Sequence, residues 1–346
     1  MARPNRRNRR GSKDAAEDRG ARRERVSQLP PEPQELDPAT GLPAFLLEAV
    51  RAQQGPDLAE RIVAGWDAMR RTTLRANALK SSPEEVEAVL AGAGIAFGRV
   101  PWFRDAFVLG PGVEERQLWS LDAYRDGEIY LQSLSSMLPP LALAPRPGAD
   151  VLDMCAAPGG KTSEMAALAS GRDGARAARI TACELSVPRA EKLEHNLAKL
   201  GATNVQVMRT DARRLDSWFS FDQILVDAPC TGSGTVSTHD GRAARHLTPR
   251  LLERTTRSQA ALLDKGLDVL KAGGELVYST CSVLRQENED VVRAALASHR
   301  DCELVEVELD GTGELPTLPT ELEETLLVCP TELYEGFFVA KIRKSG

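Results

Sequence analysis

No C-x-x-C pair occurs among the six cysteines, and there are only four histidines. Those two absences argue against a zinc site. No apolar run approaches the roughly 20 residues that cross a bilayer. No hydrophobic signal core opens the chain either, so the expectation is a cytoplasmic protein with reduced thiols. The net charge is −6, which gives the chain as a whole no electrostatic footprint for nucleic acid. A G-x-G-x-x-G fingerprint is missing, and a dinucleotide is disfavoured accordingly. The stretch Cys155-Ala-Ala-Pro-Gly-Gly-Lys-Thr162 ends like a phosphate loop, but Cys155 stands where the first glycine of that loop belongs. Pro158 removes a further backbone donor.

What is present falls into three parts. Residues 1–25 hold ten Arg/Lys against four Asp/Glu, and 26–43 are rich in proline. Residues 1–40 read as a disordered basic arm and linker, either a solubilising tail or a contact for RNA phosphates. Residues 41–145 read as an N-terminal subdomain. Gly55-Pro56 divides a helical pattern that carries Phe45, Leu46, Ala49, Leu58, Ile62, Val63, Trp66 and Met69. A short strand at "TTLRANAL", a helix opened by Pro83 and strand-like "AFGRVPWFRDAFVLG" form a small α+β unit.

From 146 to 346 strands and helices alternate. "DVLDMC", "RITACE", "NVQVMRTD", "FDQILVDAP", "ELVYSTCS", "CELVEVEL" and "EGFFVAKIR" supply seven strands. Helices are expected at Thr162–Ser170, Val187–Leu200, Leu251–Leu270 (ended by Gly273-Gly274) and Glu287–Ser298. The solution is a doubly wound α/β sheet with an antiparallel edge, whose ligands sit at the carboxyl ends of its strands.

Those ends carry the candidate site. The first strand runs into Cys155, Ala156, Ala157, Pro158, Gly159, Gly160 and Lys161, small residues that let a ligand approach the backbone. The second ends in Glu184, placed to hold both hydroxyls of a ribose. The third ends in Asp211 and the fourth in Asp227-Ala-Pro-Cys230. Each acid alone would pass for an exposed carboxylate or helix cap. At three consecutive strand ends they describe an adenosine pocket. The fifth strand ends in Tyr278-Ser-Thr280-Cys281-Ser282, so Cys230 and Cys281 face one edge. Free cysteine is more often a buried small hydrophobe. That suits Cys183, Cys302 and Cys329, but not these two.

"LDMCAAPGGKT", "DAPCTGSGT" and "VYSTCS…QENEDVV" together resemble the Sun/Nop family of S-adenosylmethionine-dependent RNA (cytosine-5) methyltransferases, bacterial rRNA type. The resemblance runs from about Arg75 to Lys344. It takes in Arg75-Ala-Asn77-Ala-Leu-Lys80, Gln132-Ser-Leu-Ser-Ser136-Met137, Gln259 with Leu262-Leu263, and Glu335-Gly336-Phe337-Phe338. It implies a class I methyltransferase, with a Rossmann-like seven-stranded sheet and a small N-terminal α+β RNA-binding subdomain. It implies S-adenosylmethionine on Cys155–Lys161, Glu184, Asp211 and Asp227 with Arg189 close by. Lys161 points into the active site, Cys281 is the nucleophile, and Cys230 helps release product. Three places depart from the family pattern: the loop "TVSTHDGRAARHL", Leu327 to Cys329 where an arginine is usual, and Glu335 where aspartate is usual. The first leaves the target nucleotide open.

A thiolate adding to C6 makes C5 of cytosine enamine-like, and cysteine suits that reversible addition. Negative charge then builds toward N3 and O2, and the family resemblance implies that Asp227, protonated or sharing a proton, is the donor there. The residues alone do not decide which cysteine attacks, since Pro229-Cys230 also fits the DNA enzymes. Both cysteines together favour RNA. Arg75, Asn77 and Lys80 are phosphate contacts or a packed polar strand end, and Arg242, Arg245, Arg250, Arg254 and Arg257 beyond Cys230 are an RNA backbone contact or a solvated face. The histidines receive no role. Ribosomal RNA is favoured over tRNA, and the alternatives are DNA methylation or a silent RNA-binding assembly factor. No metal and a monomer are expected. An amino-group methyltransferase would carry N-P-P-Y where this chain has Asp227-Ala-Pro-Cys230.

Overall fold

The computed structural model describes residues 35–346 apart from 172–175, 241–245, 310, 312 and 314. Nearly all of the expected basic arm lies outside the described residues, as do Arg242 and Arg245.

Two helices come first, α1 (Ala44–Gln54) and α2 (Pro56–Asp67), divided at Gly55-Pro56 as the pattern requires. Gly55 has φ 77°, a left-handed value that favours glycine. Pro56 then opens α2 at a position where no backbone donor is needed. Strands β1 (Thr73–Ala76), β2 (Phe97–Val100), β3 (Phe103–Leu109) and β4 (Ile129–Leu131) form an antiparallel sheet in the order β2-β3-β1-β4. Helix α3 (Pro83–Gly92) covers it. Ser82 and Glu85 close a capping box at its start. Leu74, Val86, Leu90, Phe107, Leu109 and Ile129 are the core of this unit. Short helices α4 (Glu115–Leu118) and α5 (Asp122–Arg125) complete it, and α6 (Leu134–Leu143) leads to the large sheet.

That sheet holds β5 (Asp150–Asp153), β6 (Arg179–Cys183), β7 (Val205–Met208), β8 (Phe221–Asp227), β9 (Leu270–Thr280), β10 (Cys302–Val305), β11 (Thr317–Leu318), β12 (Leu326–Val328) and β13 (Phe337–Lys344). The order β7-β6-β5-β8-β9 is parallel, and β13 runs antiparallel beside β9. All seven expected strands are present. Two more, β11 and β12, extend the far edge; at two and three residues they are too short to show a period. Beyond β13 the edge is shared, with β12 on its first half and β10 on its second.

Helices α7 (Gly160–Leu168), α8 (Val187–Leu200), α9 (Pro249–Asp268) and α10 (Glu289–Ser298) cover both faces. Side chains alternate between them. Ile224, Val226, Leu276 and Tyr278 join a core that includes α9, α10, α1 and α2. Leu225 and Val277 join the opposite core with α6, α7 and α8. Period-2 strands buried on both faces require this. One expectation is corrected here. Gly273-Gly274 do not end α9, which stops at Asp268; they lie inside β9. A Cβ on Gly274 would stand 2.8 Å from the Asp222 carbonyl oxygen, so glycine is there for the close approach of β8.

Candidate active site

The strand order reverses between β5 and β8, and the candidate residues gather at the carboxyl ends on either side of that point. The loop after β5 is fixed by its carbonyls. Arg189 donates to the Ala157 oxygen at 2.8 Å and Asn196 to the Pro158 oxygen at 2.8 Å. Gly159 caps α7 with φ 109° and sits against Leu193.

Two cavities meet at Cys155. One of about 220 Å³ is lined by Glu184, Arg189, Asp211, Arg213, Pro229 and Leu262 among others. Glu184 is buried; it accepts from the Ser186 N–H at 2.7 Å and lies 3.4 Å from Arg189. Asp211 lies on the same wall but engages both oxygens with Arg213, at 2.9 and 2.7 Å, and that contact holds its carboxyl below the usual range. A buried strand-end carboxylate on a nucleoside-sized cavity fits the ribose of an adenosine.

The second cavity, about 300 Å³, is lined by Lys161, Asp227, Cys281, Glu335 and Phe337 together with Cys155 to Pro158. Lys161 is turned inward, its side chain 14% exposed. Its Nζ lies 2.8 Å from Asp227 Oδ2, donates to Ser136 Oγ at 2.7 Å and stands over the Phe337 ring. Burial alone would depress the ammonium, but Asp227 outweighs it and the pKa rises above its usual value. The other Asp227 oxygen accepts from Ser279 Oγ at 2.8 Å. Asp153, buried behind them, is pushed up to about 6 by burial, against the Thr162 hydrogen bond.

Cys230 and Cys281 face each other with their sulfurs 2.9 Å apart. Contact with Cys281, then burial, pushes the Cys230 thiol well above its ordinary pKa. Glu287 and Asn288 fix both segments. Glu287 accepts from the Thr231 N–H at 2.8 Å, Thr231 Oγ1 at 2.5 Å, Thr255 Oγ1 at 2.7 Å and Gln259 Nε2 at 3.0 Å. Asn288 accepts from Thr280 Oγ1 at 2.6 Å and donates to the Ser282 oxygen at 3.0 Å.

A profile of the family described as 16S rRNA methyltransferase RsmB/F matches residues 140–343. The chain belongs to that family. A second profile, for the RsmF/B-like ferredoxin-like domain, matches residues 42–114. The Sun/Nop resemblance drawn from the three motifs therefore holds. The chain is 36% identical over 314 residues to ribosomal RNA small subunit methyltransferase F of Serratia proteamaculans, covering 88% of this chain and 63% of that protein. It is 36% identical over 285 residues to the protein of the same name from Shewanella sp. (strain ANA-3), covering 80% and 56%. It thus spans less than two thirds of these curated relatives. A solved methyltransferase homolog protein from Pyrococcus horikoshii superposes with TM-score 0.72 at 34% identity, over 88% of this chain and 100% of that one.

Several family-motif residues are structural here. Arg75 and Asn77 are buried and not available to RNA phosphates. Arg75 donates to Gln132 Oε1 at 2.9 Å and Ser163 Oγ at 2.6 Å, joining β1 to α7. Asn77 donates to the Gly127 and Leu200 carbonyls. Lys80 reaches the Asp126 oxygen at 2.8 Å. Arg250, Arg254 and Arg257 are exposed on the first half of α9. Ser136, Ser279, Glu287 and Glu335 carry contacts that the spacing of residues did not announce. Gln132 and Ser136 in one motif, and Glu287 in another, were the available signal.

The loop after Cys230 is pressed against the Glu335–Phe338 segment at Gly234. Its N–H donates to the Cys281 oxygen at 3.0 Å, and its oxygen accepts from the Gly336 N–H at 2.9 Å. A Cβ there would stand 1.9 Å from the Gly336 carbonyl oxygen, backbone against backbone. Gly234→Ala is expected to cost about 3 kcal/mol, the upper end for overpacking. Urea denaturation measures it as a lower midpoint at unchanged slope.

Proposed function

We propose that this chain transfers a methyl group from S-adenosylmethionine to C5 of a cytosine in RNA, with small-subunit ribosomal RNA as the substrate class. The observation that carries this reading is Cys281 beside a lysine–aspartate pair in one cavity, with Cys230 against its sulfur at 2.9 Å, next to a second cavity with a ribose-type carboxylate. Glu184, Arg189 and Asp211, with the loop Cys155–Lys161, would hold the cofactor. That group supplies an electrophilic methyl.

This chain's residues do the rest. Cys281 Sγ adds to C6, forming a C–S bond and leaving C5 nucleophilic. Charge building toward N3 and O2 is met by Lys161, whose ammonium Asp227 and Ser136 hold in place. Asp227 lies 2.8 Å from that ammonium, so the donor role expected of it is shared by the pair. Once C5 is methylated, its hydrogen leaves as a proton, the C–S bond breaks and Cys281 is regenerated. Cys230, 2.9 Å from that sulfur, assists the second stage. The base must be unstacked to reach the thiol.

Bisulfite sequencing of total RNA from a deletion strain tests this. One or more 5-methylcytosines in small-subunit RNA should disappear, and the purified protein should restore them on that RNA and leave duplex DNA unmethylated. An unchanged methylation map would overturn the reading. Loss confined to tRNA would keep the chemistry and change the substrate.

A further inference from the structure

Four charged side chains line the catalytic cavity: Asp153, Lys161, Asp227 and Glu335. Three are committed. Asp153 accepts from Thr162 Oγ1 at 2.7 Å and the Cys155 N–H at 3.3 Å. Lys161 and Asp227 hold each other, and Ser279 takes the second Asp227 oxygen. Glu335 differs. Its Oε2 accepts from Ser133 Oγ at 2.7 Å, and its backbone oxygen accepts from Ser135 Oγ at 2.8 Å. Among the described residues its Oε1 meets Arg70 alone, at 3.5 Å. That is longer than the roughly 2.7–2.9 Å of a well-formed charge-assisted hydrogen bond. Arg70 is itself turned to the loop after Cys230, donating to the Gly234 oxygen at 3.3 Å. Glu335 is thus a carboxylate held in place with acceptor capacity to spare, on the wall that also carries Cys281 and Phe337.

Cytosine and uracil share the O2 that faces a lysine donor. They differ at the 4-position, where cytosine offers an N–H donor and uracil an oxygen acceptor. We propose that Glu335 reads that position, its carboxylate accepting a hydrogen bond from the exocyclic amine of the target cytosine. Uracil would set its O4 lone pairs against the carboxylate, leaving two buried acceptors without a proton between them. Sites that hydrogen-bond a substrate N–H or O–H discriminate far more strongly than apolar pockets do. The proposal deepens the function given above and rests on it.

The test uses two short RNAs around the mapped cytosine, one with cytosine and one with 2-pyrimidinone, which lacks any 4-substituent. The readout is the single-turnover rate of SDS-resistant enzyme–RNA adduct in a Cys230→Ala parent. Adding Glu335→Met, which leaves no oxygen to accept from the amine, should slow adduct formation on cytosine about 100-fold, the order expected for losing one reaction-site hydrogen bond. On 2-pyrimidinone the rate should stay within about threefold, because the lost contact is absent there. Glu335→Asp, which keeps the carboxylate, should recover most of the cytosine rate. Equal slowing on both RNAs, or none on cytosine, would overturn the proposal. Failure of the parent to form an adduct on either RNA strikes the function proposed above instead, before Glu335 is altered.

Discussion

Cys281→Ala abolishes methyl transfer, by roughly 10⁴-fold or more, as expected when the nucleophile of a covalent mechanism is removed. Cys230→Ala gives a different result. It still attacks, and it accumulates an enzyme–RNA adduct that survives SDS. The contrast follows from the site. The two sulfurs lie 2.9 Å apart, and the contact together with burial raises the Cys230 pKa well above its ordinary value. Cys281 lines the cavity beside Lys161 and Cys230 does not, which places Cys281 to attack and Cys230 to assist from behind it. Gel electrophoresis of labelled RNA in SDS separates the outcomes. An adduct from Cys281→Ala and none from Cys230→Ala would reverse the assignment. Normal turnover in Cys281→Ala would remove the covalent mechanism.

Lys161→Met lowers kcat by about 10²–10³-fold, the range for losing a preorganised donor to developing negative charge. The lysine is poised by three partners: Asp227 at 2.8 Å, Ser136 at 2.7 Å and the Phe337 ring. Its raised pKa keeps it protonated from acid to well beyond neutral pH. The pH–rate profile of the wild type therefore gains no falling alkaline limb from Lys161 below its ordinary range. Lys161→Arg does not rescue, because a planar fork cannot take the place of a compact ammonium among three fixed partners. Stopped single-turnover assays at saturating RNA and cofactor measure the effect. A loss confined to cofactor affinity, with kcat intact, would assign Lys161 to binding alone.

The strand ends were legible because β5, β6, β8 and β9 are apolar runs bounded by acids, glycines or cysteines. The doubly wound rule then says which end to inspect. The loop Cys155–Lys161, Glu184, Asp227, Cys230 and Cys281 were found that way. Other residues were hidden by distance along the chain. Ser136 meets Lys161 from 25 positions away, and Ser133 meets Glu335 from 202. No local period encodes such pairs. Arg75 leaves two readings open, a phosphate contact or a packed strand end; it is buried against Gln132 and Ser163, and only the docking of β1 on α7 brings Ser163 to it. The glycine pair in β9 misled because glycines after a helical pattern normally mark its end.

Glu287 and Asn288 are adjacent, yet one holds the segment bearing Cys230 and the other the segment bearing Cys281. Two thiols 51 positions apart are thereby tied through neighbouring residues, in addition to the direct bond from the Gly234 N–H to the Cys281 oxygen. The described residues that follow Thr235 are tied instead to α2, where the Thr238 N–H donates to the Trp66 oxygen at 3.1 Å and His239 Nε2 lies 2.8 Å from the Asp67 oxygen.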